Sequence, residues 1–206
     1  LGLGNEAWGC GGNMKVEYYA NIYRQYATFM TPASNKEPFY RIASGASGDD
    51  YHWTEVLMKE LPPAMFEALG LHHYSVINWS KKGPSTNFSE KEYFATMKEA
   101  LKMDELITKH KAIMDKYDPK KTKHLAVDEW GGWYEVEPGT NPAFLFQQNT
   151  MRDAMIAGSS LNIFNNHADR VRMANLAQTV NVLQALILTK GPQMLLTPTY
   201  YVFDLY

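Results

Sequence analysis

The chain has 206 residues, and its 20 Lys and Arg nearly balance its 22 Asp and Glu, which gives a formal net charge of −2. This balance excludes the strongly basic field typical of a nucleic-acid-binding protein. Hydrophobic residues make up 45% of the chain, but no uninterrupted apolar stretch approaches the roughly 20 residues that span a bilayer. We therefore predict neither a nucleic-acid partner nor a membrane partner. The one cysteine, Cys10, excludes an intrachain disulfide framework.

Hydrophobic period and turn residues predict five strands that alternate with five helices. The strands are expected at residues 1–4, 38–45, 68–75, 123–130 and 160–167, and the helices at residues 14–29, 53–61, 89–117, 141–157 and 170–188. Ser89 and Glu92 have the spacing of a capping box at the start of the third helix. From residue 192 onward we expect extended chain.

Five β-then-α units at this spacing predict an α/β fold with parallel strands, either an open doubly wound sheet or a (β/α)₈ barrel. The first loop, "GCGG", lacks the G-x-G-x-x-G spacing of a dinucleotide-binding fold. Polar residues instead follow several strands, as expected where a barrel gathers catalytic groups. A full barrel takes about 250 residues. We therefore predict a partial TIM barrel that holds about the last five units and lacks about three leading ones.

Two glutamates at predicted strand ends stand out, because "LGNEAW" and "AVDEW" share one pattern. In both, an apolar strand is followed by a polar residue, a Glu and a nearby Trp, which places Glu6 and Glu129 at two strand ends. A pair of carboxylates is suited to cleaving a glycosidic bond, and a separation of about 5–5.5 Å supports retention of configuration. The alternative is that each Glu forms a structural ion pair with a Lys or Arg.

Four motifs carry a resemblance to a known family: "GNEAWGCGGNM", "HHY", "DEWGGWY" and "ANLAQTVNV". Together, and in this order over nearly the whole chain, they resemble glycoside hydrolase family 51, best known as retaining α-L-arabinofuranosidases. The family usually has Asn-Val where this chain has Gly131-Gly132. This difference bears on the loop that carries the next aromatic residues, and so on substrate preference.

The resemblance implies roles for five residues. Glu6 is expected to be the general acid/base and Glu129 the nucleophile. Asn5 is expected to hold the 2-hydroxyl of the arabinofuranose, Tyr74 to lie beside the nucleophile, and Gln178 to contact the sugar from the following helix.

Three further residues are candidates for substrate binding on their chemistry. Trp8 follows the predicted acid, His72 lies at a strand end where an imidazole can orient a carboxylate, and Trp133 offers a ring that can stack on a sugar. We predict no metal and no cofactor, since His72 and His73 lack a third ligand at suitable spacing.

The family's architecture divides the chain into two parts. Residues 1–195 are expected to be the C-terminal part of the catalytic barrel, and residues 196–206 the start of a connection to a β-sandwich domain. The resemblance also allows a homo-oligomer at full length. The localisation stays open between cytoplasm, periplasm and extracellular space, since we expect the amino terminus to be missing.

The leading hypothesis is an exo-acting enzyme that releases terminal α-L-arabinofuranose from arabinoxylan, arabinan or arabino-oligosaccharides. One alternative keeps the mechanism and changes the substrate, as in an endo-acting β-glucanase or xylanase. The other is a carbohydrate-binding fragment without turnover.

Overall fold

The computed structural model describes residues 1–30, 32 and 38–206. The strands are β1 (Gly2–Leu3), β2 (Ile42–Ser47), β3 (Ala68–Ser75), β4 (His124–Gly132), β5 (Val171–Leu176), β6 (Ile187–Lys190) and β7 (Gln193–Leu196). The helices are α1 (Val16–Phe29), α2 (Tyr51–Glu60), α3 (Glu90–Tyr117), α4 (Met151–Asn166) and α5 (Pro198–Leu205), with short 3₁₀ turns at Pro63–Met65 and Pro142–Phe144. Among the described residues, no helix is long and apolar enough to cross a membrane.

Strands β1 to β5 form one sheet in the order in which they occur along the chain. The pairs β1–β2 and β2–β3 are parallel. Backbone bonds join the amino-terminal ends of the later strands: His124 N–H donates to Glu67 O, and Leu125 N–H donates to Arg170 O, both within 2.9 Å. These strands therefore also run in the same direction, and the predicted α/β class with a parallel sheet is confirmed.

The chain divides into two compact units. The first comprises Leu1–His72, Leu106–Asp128 and His167–Met173. The second comprises His73–Glu105, Glu129–Asn166 and Ala174–Tyr206.

The core of the first unit is built on the apolar face of α1. Its buried residues recur at helical spacing and include Tyr19 and Tyr23. The Tyr19 hydroxyl donates to Leu3 O at 2.5 Å and accepts from Ser44 N–H at 2.6 Å, so one side chain joins α1 to β1 and β2. Burial raises the pKa of Tyr19 well above its usual range, which keeps this hydroxyl neutral.

The core of the second unit surrounds a buried arginine. The Arg152 guanidinium lies 3.8 Å from the ring centroids of both Phe88 and Tyr134. It also donates to Pro84 O at 2.9 Å and to Ser85 O at 3.3 Å. One side chain therefore fixes the loop between β3 and α3 to the start of α4.

Two local predictions are confirmed closely. The strand predicted at residues 68–75 is β3 (Ala68–Ser75), which is buried over nearly its whole length. At the start of α3, the Ser89 N–H and hydroxyl both donate to Glu92 Oε2, and Glu92 N–H donates back to Ser89 Oγ at 3.3 Å, as in a capping box.

The strand predicted at residues 160–167 is wrong. Residues 160–166 belong to α4 (Met151–Asn166), whose buried residues include Ile156, Ser160 and Ile163 at helical spacing. A short apolar run does not distinguish a strand from a buried helix segment. The helix begins late because Thr150 N–H and hydroxyl donate to Asp153 Oδ2, which caps it there.

The helix predicted at residues 170–188 is also wrong, and the extended end predicted from residue 192 is confirmed only for β7 (Gln193–Leu196), since α5 (Pro198–Leu205) follows. Residues 171–176 form β5, the fifth strand of the sheet, while β6 and β7 pair as an antiparallel hairpin that precedes α5. Arg170, predicted to start the helix, is buried before β5 and pairs with Asp115 and Asp118 at 2.6 and 2.7 Å. The sheet therefore has five strands, as predicted, but its fifth strand lies at residues 171–176 and not at residues 160–167.

The buried carboxyl of Asp153 predicts a pH-dependent stability. Burial raises its pKa to about 6, and its Oδ1 has no hydrogen-bond partner in the described part of the chain. Because the folded state binds this proton more tightly than the unfolded state, its contribution to the free energy of unfolding is fully present below about pH 4. The contribution is lost as pH rises through 6, by about 3 kcal/mol.

Urea denaturation between pH 4 and pH 8 measures this effect. We expect Asp153→Asn to remove the fall in stability with rising pH and to leave the rise that the lowered pKa values of His110 and His124 contribute. The exposed Asp204→Asn is the matched control and should leave the fall unchanged. A fall in stability with rising pH that is equally large in Asp153→Asn would contradict this assignment.

Candidate active site

Glu6 lies in a tight loop that directly follows β1. Its backbone has a φ of +43°, in the left-handed region that non-glycine residues rarely adopt. Gly9 N–H and Gly11 N–H both donate to Glu6 O, at 2.7 and 3.0 Å. A Cβ at Gly11 would lie 1.6 Å from Asn5 O, so the loop closes only with glycine there. The loop therefore fixes the backbone from which the Glu6 carboxylate projects.

The Glu6 carboxylate is held on both oxygens within the first unit. His72 Nδ1 lies 3.0 Å from Oε1, and the Cys10 thiol donates to Oε2 at 3.2 Å. On the other side of the buried imidazole, Nε2 lies 3.4 Å from Asp128 Oδ1, which also accepts Leu71 N–H at 3.2 Å. A chain of carboxylate, imidazole and carboxylate thus orients Glu6.

Trp8 and Asn5 occupy different environments around this loop. Trp8 Nε1–H donates to Gly45 O at 3.1 Å, and the indole lies edge-on to the His72 ring with centroids 6.5 Å apart. Trp8 therefore packs against the sheet and the imidazole. Asn5 is exposed beside Glu6.

Glu129 accepts a hydrogen bond from the Tyr74 hydroxyl within the second unit. The buried Tyr74 ring packs edge-to-face on Trp133, with centroids 4.8 Å apart, and on Trp79, with centroids 6.3 Å apart. The two indoles are 5.5 Å apart, and Trp79 is 59% exposed. We call Tyr74, Trp79 and Trp133 the aromatic cluster. It places rigid aromatic surface beside a carboxylate.

Gln178 lies outside any helix, contrary to prediction. It follows β5 in an irregular segment, where its N–H donates to Val182 O at 3.2 Å and its carbonyl accepts from Leu186 N–H at 3.3 Å. The preceding residue, Ala177, packs in the same apolar cluster as Tyr74. Gln178 itself is exposed, and its role as a sugar contact stays a prediction.

Sequence reasoning missed three residues of these two groups. Asp128 directly precedes the predicted nucleophile, and this position is a usable signal in the sequence. Cys10 is exposed and contacts Glu6, which the sequence does not indicate. Lys82 lies 6.0 Å from the Trp79 and Trp133 ring centroids, and no spacing in the sequence indicated this.

Two further histidines, His73 and His167, have structural contacts. His73 Nε2 lies 2.9 Å from Glu99 O, which joins β3 to α3 within the second unit. His167 Nδ1 lies 3.1 Å from Lys111 Nζ in the first unit.

Comparison with known proteins identifies relatives of this chain. Residues 128–206 match the family described as the α-L-arabinofuranosidase C-terminal domain. An intracellular exo-α-L-arabinofuranosidase of Bacteroides ovatus is 51% identical over the whole chain, which covers 40% of that protein. An intracellular exo-α-(1→5)-L-arabinofuranosidase of Halalkalibacterium halodurans is 38% identical over 105 residues, which cover 45% of this chain and 21% of that protein.

A crystal structure shows the same fold. The GH51 arabinofuranosidase from Xanthomonas axonopodis pv. citri superposes on all of this chain with a TM-score of 0.95 and 56% identity, and the match covers 41% of that protein. Fold and sequence thus agree on one class of protein, the glycoside hydrolases. Within that class, the chain belongs to family 51, the α-L-arabinofuranosidase family. The chain spans about two fifths of the length of the Bacteroides ovatus and Xanthomonas axonopodis proteins.

The Glu6 loop leads to a structural prediction. Gly11→Ala forces the Asn5 carbonyl to move, because the added Cβ would overlap backbone, and we expect a loss of about 3 kcal/mol in the free energy of unfolding. Displacement of the loop should also speed alkylation of the Cys10 thiol by iodoacetamide.

The matched control is Gly9→Ala in the same loop. A Cβ at Gly9 meets only Glu6 O at 3.8 Å, an ordinary contact, so this variant should stay near wild type. Equal stability and equal alkylation rates for the two variants would refute the close approach at Gly11.

Proposed function

We propose that the chain carries the two catalytic carboxylates of a retaining exo-α-L-arabinofuranosidase, with Glu6 as acid/base and Glu129 as nucleophile. The observation that carries this proposal is the Tyr74 hydroxyl donating to Glu129 within an aromatic cluster. This bond fixes the orientation of the Glu129 carboxylate, as a nucleophile that attacks one carbon requires. The exo-arabinofuranosidase names of the relatives support the same activity.

In the first step, Glu129 attacks the anomeric carbon of a terminal arabinofuranosyl group. The glycosidic C–O bond breaks as Glu6 transfers its proton to the leaving oxygen, which releases the aglycone as an alcohol. The product is an arabinosyl ester of Glu129, and Glu6 is left as a carboxylate.

In the second step, water attacks the anomeric carbon of this ester. Glu6 removes a proton from the water, the ester bond breaks, and Glu129 returns to a carboxylate. Two displacements at one carbon give overall retention. His72, held by Asp128, is a positioning residue that keeps the Glu6 carboxylate oriented through both steps.

The substrate contacts extend this proposal. Asn5 and Gln178 are exposed and are proposed to hydrogen-bond the sugar hydroxyls. Trp133 and Tyr74 offer ring surface to the sugar beside Glu129. Trp8 packs on His72, so its proposed contribution includes support of that imidazole.

We further propose that β1 to β5 form an arc of a (β/α)₈ barrel. The support is the sequential strand order, since a doubly wound sheet reverses its order at a switch point. Polar and acidic residues toward the carboxyl ends of the strands agree with a barrel's catalytic face. Residues 1–195 are proposed as barrel and 196–206 as the start of a connection to a β-sandwich domain.

Replacing each glutamate tests the mechanism in the enzyme at its native length. On p-nitrophenyl α-L-arabinofuranoside, we expect Glu129→Ala to lower kcat by at least about 10³-fold, because no nucleophile remains. Glu6→Ala should regain turnover with added azide and yield an arabinosyl azide of retained configuration, because azide needs no general base.

The control is Glu17→Ala on the exposed surface of α1, which should leave kcat unchanged. Full activity in Glu129→Ala, or an azide product of inverted configuration, would refute the assignment. A wild-type enzyme that cuts only internal bonds of a β-glucan or xylan would replace the exo activity with an endo activity. Binding of glycans without any turnover would indicate a binding function.

Removing the Tyr74 hydroxyl tests the role of its bond to Glu129. Tyr74→Phe keeps the ring packing on Trp133 but loses one charge-assisted hydrogen bond, so kcat/KM should fall about 10-fold to 100-fold. The thermal midpoint should change little. Wild-type kinetics in this variant would show that the bond does not serve the reaction.

A further inference from the structure

The ammonium of Lys82 rests against the exposed side of the aromatic cluster. Its Nζ lies 6.0 Å from the ring centroids of both Trp79 and Trp133, and it donates to Trp79 O at 3.2 Å. A cation near an indole is attracted by the ring quadrupole. Two indoles therefore hold one positive charge at the edge of the proposed sugar-binding surface.

The loop that carries Lys82 is fixed from two sides. Lys82 N–H donates to Glu135 Oε1 at 3.0 Å, and Glu135 N–H donates to Gly83 O at 2.9 Å, which joins the loop after β3 to the loop after β4. The buried Arg152 donates to Pro84 O and Ser85 O just beyond. The backbone that carries Lys82 is therefore fixed, and the bond from Nζ to Trp79 O holds the ammonium beside the indoles.

The charge of Lys82 has no counterion in the described part of the chain, where none of its contacts is an ion pair with a carboxylate. Lys111 and Lys121, by contrast, both pair with Asp169. An unneutralised cation beside stacking rings is suited to a ligand that has a flat sugar face and a carboxylate.

A cavity of about 490 Å³ lies next to this ammonium, between the loop after β3 and the loop after β4, and its lining includes Glu135 and Glu137. Because these two glutamates would repel a carboxylate there, a ligand's negative charge is favoured at Lys82 instead.

We infer that Lys82 is a specificity-determining residue that selects arabinosylated glycans bearing a uronic acid near the arabinofuranose to be removed. The sugar ring packs on Trp79 or Trp133, and its carboxylate pairs with the Lys82 ammonium. This inference rests on the proposed function, because it places the aromatic cluster beside the nucleophile of that reaction.

The test compares two oligosaccharides with the enzyme at its native length. One is an arabinosylated xylo-oligosaccharide, and the other is the same molecule with a glucuronic acid substituent on the neighbouring xylose. We expect Lys82→Gln to lower kcat/KM about threefold to fivefold on the acidic substrate only, as for an exposed ion pair. Lys82→Arg should retain the wild-type ratio of kcat/KM on the acidic substrate to kcat/KM on the neutral one. High salt should lower this ratio in the wild type.

Lys81→Gln is the matched control, because Lys81 is the neighbouring exposed lysine and contacts neither indole ring in the described structure. Equal losses on both substrates in Lys82→Gln, or no loss on either, would overturn the inference. Tryptophan fluorescence titrations with the same oligosaccharides measure binding separately. An enzyme inactive on every arabinofuranoside would contradict the proposed function. In that case, tighter binding of the acidic oligosaccharide that is lost in Lys82→Gln would still support the role of Lys82.

Discussion

In the first unit, the arrangement of Glu6, His72 and Asp128 depends on the contact between the His72 imidazole and the Glu6 carboxylate. Glu6 has an unfavourable left-handed backbone, and the glycine-rich loop around it leaves its carboxylate projecting from β1. His72 fixes one oxygen of that carboxylate and is itself aligned by Asp128 and the edge of Trp8. A carboxylate held in this way keeps one orientation, which a group that gives and takes back a proton at a fixed point requires.

The second unit reaches a similar end by packing. Its central element is Arg152, whose guanidinium is sandwiched between two rings and hydrogen-bonded to the loop after β3. That loop also carries Trp79, which packs on Tyr74 in the aromatic cluster, and Tyr74 donates to Glu129. A buried charge thus supports an exposed aromatic surface. Arg152 therefore lies in the core of this unit because it holds the loop that carries Trp79.

Local signals in the sequence predicted local structure, and long-range pairing limited the rest. The β3 strand and the capping box at Ser89 depend on neighbouring residues, so periodicity and spacing sufficed for them. The apolar run at residues 160–167 predicts a strand by itself, but residues 160–166 are helical because they continue the buried face of α4. The motifs of Glu6 and Glu129 predicted carboxylates beside strands, and the structure has Glu6 just after β1 and Glu129 within β4. The contact of Lys82 with Trp133 was not predicted, because it joins loops that are 51 positions apart in the chain.

The most direct measurement of the central claim is the mass of the enzyme during turnover. The Glu6→Ala variant at native length, mixed with an aryl α-L-arabinofuranoside that carries a good leaving group, should form the ester quickly and hydrolyse it slowly. We predict a pentosyl adduct that peptide mapping assigns to Glu129. An adduct on another residue, or product release with no covalent adduct at any time, would contradict the assignment of Glu129 as nucleophile.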